Sequence, residues 1–433
     1  MTARDSTDVG SEDTERSAVA GTPVRAHLLE RPVRPLPGPR RLLRDAGPAG
    51  AANGLIGLVF AATGPLAVIL AVGAQGGLSQ EQLASWVFGA FFLNGVLTVL
   101  ACWLYRQPLA FFWTIPGTVL VGPALTHLSW PEVVSAFVLT GVLVLVLGLT
   151  GWVRAAMAVI PMPIVMAMVA GVFLRFGLDL VRSLHEDVAI AAPMVATFLV
   201  LSAFARLGRR VPPVLGALAV GAVTVVLSGR FRPSMSGAEW FAAPILQAPQ
   251  WSLQAAVELV VPLAITVLVV QNGQGIAVLR SAGHRPPVNV ITVACGAWSL
   301  LTAAVGTVST CLTGPTNALL SASGERSRQY TAGIVCGLLA VAFGLLAPLF
   351  TGAMLATPPA FIATLGGLAM LRVLQSSFVT AFSTRFTLGA LITFVVTVAD
   401  VSVLSIGAPF WGLLAGLAVA WLLERPDFSS TRH

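Results

Sequence analysis

Apolar runs of roughly twenty residues, long enough to span a bilayer as helices, follow one another from Ala51 to Leu423. Short polar breaks between them carry most of the charge. The pattern predicts spans near 51–73, 82–104, 111–127, 132–150, 158–180, 188–205 and 211–228. A second set follows near 252–279, 288–304, 306–322, 329–350, 356–375, 379–398 and 404–423. The chain is therefore expected to be an all-α polytopic membrane protein with about fourteen segments.

The two sets are related. A shift of 197 residues superposes Pro65-Leu-Ala-Val on Pro262-Leu-Ala-Ile, Gly117 on Gly314, Arg175 on Arg372 and Pro212 on Pro409. Seven is odd, so the second copy enters the membrane from the opposite face, which makes the repeat inverted. Residues 47–230 form the first copy and 231–424 the second, with a short tail at 425–433. Residues 1–46 are polar and rich in Pro and Arg, and are expected to be an unstructured leader.

The third and tenth segments differ from ordinary spans. Phe111-Phe-Trp-Thr-Ile is broken by Pro116-Gly117, and Thr310-Cys-Leu-Thr by Gly314-Pro315 at the equivalent point. Proline disfavours helix in the residue before it and suits a first helical turn after it. Each segment reads as a short extended piece feeding a half-helix. Non-helical backbone at membrane depth survives only where protein buries it or a cavity meets it. Two half-helix N-termini facing each other, each worth about half a positive charge, would make an anion site. A carboxylate suits it. Thr63, Thr114, Gly117, Thr118, Gly314, Thr316 and Asn317 are the candidate substrate residues on spans one, three and ten. In the eighth span, adjacent amides Gln271 and Asn272 are costly in an apolar helix unless they meet substrate, water or another helix.

Composition narrows the classes. Of 433 residues 56% are hydrophobic and 10% charged, with mean hydropathy +0.87, too apolar for a soluble fold. The net charge of +7 comes from Arg without any Lys, set singly or in pairs between spans rather than as a nucleic-acid patch. Alternating the spans puts most Arg on the side of the N-terminus and only Arg175, Arg182, Arg230 and Arg232 on the other, so both termini are expected in the cytoplasm. The first apolar run starts too late and runs too long for a cleaved signal peptide. Cys102, Cys295, Cys311 and Cys336 have no metal or redox spacing and read as packing residues; no cofactor is expected. No zinc-hydrolase, Ser-His-Asp or phosphate-loop pattern appears, which argues against an enzyme.

Titratable groups within the spans are few. Glu258 is the proton-coupling candidate, with a water-facing interfacial role as the alternative. Asp400 caps the thirteenth span, Arg175 and Asp179 are placed to pair one turn apart, and Arg372 is expected to snorkel from its span end. His127 and His185 fall in presumed outer loops without metal-like partners.

Several stretches resemble the benzoate–proton symporter family. They are Trp113-Thr-Ile-Pro-Gly117, Ala170-Gly-Val-Phe-Leu-Arg-Phe-Gly177, Gln271-Asn with Gly275-Ile-Ala-Val-Leu-Arg-Ser-Ala-Gly-His-Arg-Pro-Pro287, and Ala408-Pro-Phe-Trp-Gly412. The resemblance implies the seven-plus-seven fold of uracil and sulfate permeases, with core and gate domains and a site on spans one, three, eight and ten. It also implies proton-coupled uptake of an aromatic monocarboxylate through a bacterial-type inner membrane, and by fold analogy a homodimer. An anion channel or exchanger like the sulfate permeases is the alternative. The chain departs from the family pattern at Gln274, at Thr313-Gly-Pro-Thr-Asn317 and at Thr63-Gly-Pro65. Gln271 and Pro315 stand where nucleobase carriers place acids, which disfavours a nucleobase.

Overall fold

The computed structural model describes residues 29–153, 161–204, 211–232, 240–383, 385–401, 403 and 406–429. Residues 1–28 of the leader lie outside these, as do the first residues of the predicted fifth span and the last of the sixth.

Among the described residues six helices are long and apolar enough to cross a bilayer: Pro48–Gln75, Gln80–Tyr105, Trp130–Thr150, Met162–Glu186, Leu253–Ser281 and Pro359–Ala381. Tyr330–Leu345 and Ala347–Leu355 form a further crossing bent by 65°. Shorter apolar helices Ile115–Ala124, Val188–Ala203, Pro213–Leu227, Val288–Ala303, Thr387–Ala399 and Ala408–Leu423 fall at the remaining predicted spans. The tenth place is taken by Gly314–Ser321. Taken in chain order these are spans 1 to 14, in two sets of seven.

Local chemistry explains where they start and break. Ser79 and Gln82 close a capping box at the start of span 2, and Ser129 with Glu132 does so for span 4. Span 1 breaks at Thr63, just before Gly64-Pro65, because Pro65 lacks an N–H. The Thr63 hydroxyl answers the freed carbonyls of Val59 and Phe60 at 2.9 and 3.1 Å. Large apolar side chains such as Val146, Leu199, Val223, Leu338 and Val395 remain exposed along the spans, where lipid is the solvent.

The spans sort into two bundles. Spans 1–4 and 8–11 pack on one another as the core domain, and 5–7 with 12–14 form the gate domain. The bundles meet chiefly where the second half of span 1 lies on span 12 and where span 3 lies on span 5.

The expectation of an unstructured leader through residue 46 is corrected at its end. Pro39–Asp45 is a helix, and buried Asp45 accepts a hydrogen bond from the Tyr330 hydroxyl at 2.9 Å and pairs with Arg106 at 3.6 Å. Upstream, the Glu30 carboxylate accepts the backbone N–H groups of Asn289 and Val290 at 3.1 Å each, at the start of span 9. A segment too polar to build its own core is held instead by the polar ends of the spans.

Candidate functional site

The extended pieces of spans 3 and 10 pair with each other. Strand β1, Phe111–Trp113, runs antiparallel to β2, Thr310–Leu312, with Phe112 opposite Cys311. The ribbon is lengthened by Thr114 N–H to Ser309 C=O (3.0 Å) and Thr313 N–H to Ala110 C=O (3.1 Å). A two-stranded ribbon has two unpaired edges, which a membrane interior does not tolerate. Side chains close them. Thr98 Oγ1 accepts Phe111 N–H (2.8 Å), Ser299 Oγ accepts Thr310 N–H (2.9 Å), Asn272 Oδ1 accepts Leu312 N–H (2.7 Å) and Asn317 Oδ1 accepts Ala110 N–H (3.0 Å).

The half-helices leave from this ribbon, Ile115–Ala124 with 10 residues and Gly314–Ser321 with 8. At ~1.5 Å per residue they reach about half-way across the hydrocarbon layer. Their N-terminal tips are not equivalent. Thr114 caps its own helix by accepting Gly117 N–H at 3.1 Å, and it donates to Thr266 Oγ1 at 3.0 Å. The Thr118 hydroxyl donates to the Thr114 carbonyl at 3.0 Å. Tip 3 is thus largely satisfied from within. Thr313, at the matching place in span 10, caps nothing, and its buried hydroxyl has no partner among the described residues. The Gly314 and Thr316 N–H groups likewise have no acceptor there.

A small cavity of about 20 Å³ lies between the tips, lined by Phe60, Trp113, Ile115, Gln271, Thr313 and Thr316. Among the described residues the buried Trp113 indole N–H has no partner, and the side chain of Gln271, only 4% exposed, makes no hydrogen bond. Free donors around one buried space suit an anionic oxygen, because unmatched polar groups cost ~1–3 kcal/mol each.

This space shares Phe60, Pro65, Ile115, Gln271 and Pro315 with a cavity of about 700 Å³ between core and gate. Met162, Val169, Phe173 and Phe198 supply its apolar wall, Gln274 a polar one, and among the described residues Arg372 is the only charged one lining it. A separate cavity of about 440 Å³, also between the domains, is lined by Gln75, Arg175, Asp179, Arg182 and Asp400.

Of the residues singled out from sequence, Thr63, Gln271 and Thr316 line the cavities at the tips. Thr114, Gly117, Thr118, Asn272 and Asn317 sit behind them as scaffold, their polar atoms largely spent on the ribbon and caps, while Gly314 stands at tip 10 with its N–H unspent among the described residues. Asn272 in addition contacts Cys295 Sγ at 3.6 Å. All four cysteines are free and buried. Glu258 lies away from the tips, buried to 5% exposure, with His127 Nε2 at 2.9 Å.

Two readings of charged residues are corrected. His127, in the turn after the short third span, gains a partner that the sequence does not show, Glu258. Arg175 pairs with Asp400, and Asp179 with Arg182 at 2.9 Å, because the end of span 13 comes closer to Arg175 than its own neighbour one turn away. Arg372 does not end its span. The helix runs on to Ala381, more than two turns further, and leaves Arg372 inside the larger cavity. Sequence reasoning also passed over Trp113, Thr313 and Gln274 as site residues. The departure at Gln274 was the available signal for the last omission, and the repeat shift that matched Arg372 to Arg175 was the one for Arg372.

Two broken helices meeting between a core and a gate bundle, beside a large cavity, define a membrane transporter. A family model described as "Benzoate membrane transport protein" matches residues 44–422. The chain belongs to that family. It is 28% identical over 374 residues to "Inner membrane protein YdcO" of Escherichia coli (strain K12), covering 84% of this chain and 93% of that one. It is 26% identical over 397 residues to "Benzoate membrane transport protein" of Acinetobacter baylyi, covering 90% and 99%. Among solved structures, the transmembrane domain of the cyanobacterial bicarbonate transporter BicA matches with TM-score 0.59 and 16% identity, over 85% of this chain and 97% of that one. Murine solute carrier 26 family member A9, an anion transporter in its inward-facing state, matches with TM-score 0.61 and 12% identity, over 98% and 77%. The fold is thus the seven-plus-seven one.

Proposed function

We propose that the chain is a proton-coupled symporter that takes up an aromatic monocarboxylate such as benzoate across a bacterial inner membrane. The observation that carries this reading is the open tip of span 10, with unspent N–H and O–H donors facing a small cavity that joins a large apolar one. The carboxylate sits against the Gly314 and Thr316 N–H groups, Thr313 and Gln271; the ring lies toward Phe60, Phe173 and Phe198. Thr63 and Thr316 shape the tip, while Thr114, Gly117, Thr118, Asn272 and Asn317 hold it. Both termini are cytoplasmic, which makes the larger cavity the inward-facing one. The relative from Acinetobacter baylyi, described as a benzoate transporter, supports the substrate class.

Energetics favour coupling. An anion entering against about 100 mV, negative inside, costs ~2.3 kcal/mol, an exclusion of about fifty-fold. One proton per carboxylate cancels that charge, and each pH unit then adds ~1.4 kcal/mol of drive. Glu258, paired with His127 near the opposite end of the site, is the proposed proton carrier. Uptake of labelled benzoate into proteoliposomes is expected to rise with an inward proton gradient, and Glu258→Gln to keep exchange while losing gradient-driven accumulation. A panel of aromatic acids showing no uptake at all would end the substrate assignment. The second reading, an anion channel or exchanger, draws on the fold shared with the bicarbonate and solute carrier 26 proteins. It predicts flux that follows voltage and ignores the proton gradient.

A further inference from the structure

Arg372 is exposed to the larger cavity and, among the described residues, is its only charged lining residue. Its guanidinium donates one hydrogen bond, to Gln375 Oε1 one turn along the same helix at 3.1 Å. Among the described residues no carboxylate lies within ion-pairing distance of it. A cation inside a membrane-spanning bundle is costly unless it meets water or an anion, and such residues mark transport paths.

The repeat gives this cation a counterpart. The 197-residue shift superposes Arg372 on Arg175. Arg175 lines the smaller cavity, as Arg372 lines the larger. Asp400 supplies Arg175 with a carboxylate partner. Two symmetry-related cations thus face two cavities, one already holding a carboxylate and one holding none among the described residues.

We propose that Arg372 is an anion-capture residue, receiving the carboxylate of a monoanionic amphipathic ligand within the larger cavity on its way to or from the half-helix tips. Asp400 occupies the equivalent place on Arg175. A guanidinium offers two parallel N–H donors that match a carboxylate, so one Arg takes one carboxylate in a fixed orientation. The apolar walls at Met166, Phe173 and Phe198 leave the remainder of the ligand out of water. The choice of an aromatic carboxylate rests on the function proposed above; the capture of an anion by Arg372 does not.

The test uses the full chain in proteoliposomes of defined orientation, with benzoate KM measured separately from each face. Arg372→Gln is expected to raise KM from the face of the larger cavity by about ten-fold or more, the loss of a charge-assisted pair. KM from the other face stays unchanged, and Arg372→Lys, which keeps the charge without the fork, restores part of the loss. Arg372→Gln with unchanged KM, or with equal increases from both faces, overturns the proposal. A monodisperse elution profile and an unshifted melting temperature for both variants establish that the fold is intact. Should the unsubstituted protein move no aromatic acid, the same comparison with bicarbonate separates the two ideas. A one-sided rise then supports capture while refuting the aromatic substrate, and an unchanged KM refutes capture for any anion.

Discussion

At the scale of single residues, what separates a substrate group from a scaffold group is whether its hydrogen bonds are already made. Gln271 is buried with none among the described residues, whereas Thr114 has its hydroxyl engaged with both Gly117 and Thr266. The two therefore respond differently to truncation. Gln271→Ala is expected to leave thermal unfolding in detergent unchanged while weakening carboxylate binding by about ten- to a hundred-fold, the worth of one hydrogen bond to a charged group. Thr114→Ala removes a cap and is expected to lower unfolding free energy by about 1 kcal/mol, read as a drop in melting temperature. A loss of stability in Gln271→Ala would place that amide in the scaffold instead.

Elements carry the next layer. The ribbon of β1 and β2 exists at membrane depth because four side chains from spans 2, 8, 9 and 10 satisfy its edges. Asn272→Ala leaves the buried Leu312 N–H without its partner and should destabilise the core by ~1–3 kcal/mol, measurable by thermal unfolding. The span 8 helix lies so close to tip 10 that a Cβ on Gly314 would meet the Gln274 side chain at 2.5 Å. Gly314→Ala is thus expected to push Gln274 aside and weaken substrate binding, and Gln274→Ala in the same chain to recover much of the loss. Additive defects in that double variant would show that the two positions do not couple. The span 3 and span 10 breaks were legible in Pro116-Gly117 and Gly314-Pro315. The difference between the tips was not, since Thr114 and Thr313 look alike in the chain and differ only in what lies beside them.

Over the whole molecule, the core and gate bundles enclose one large and one smaller cavity, and the contacts that shut the smaller side must part in any alternating cycle. One such contact is tight: a Cβ on Gly407, at the start of span 14, would lie 2.6 Å from Glu258 Oε1 on span 8. Gly407→Val is expected to wedge the domains apart there and shift the population toward the opposite state. A cysteine placed at Gln75, in the smaller cavity, should then react faster with a water-soluble thiol reagent than in the unsubstituted background. No change in that rate would mean the domains do not separate at Glu258.

What each span must settle alone is legible along the chain: crossing the lipid, satisfying its own backbone, and breaking where Pro and Gly forbid a helix. Those constraints act within a turn or two, so apolar runs, breaks and even the 197-residue repeat can be read along one dimension. Which polar groups are spent and which are free is settled by the packing of the spans against one another. Glu258 meets His127 across 131 positions, Thr114 meets Thr266 across 152, and Arg175 meets Asp400 across 225. Such pairings follow from how whole helices pack, and the open donors at tip 10 and the lone charge of Arg372 are what that packing leaves over.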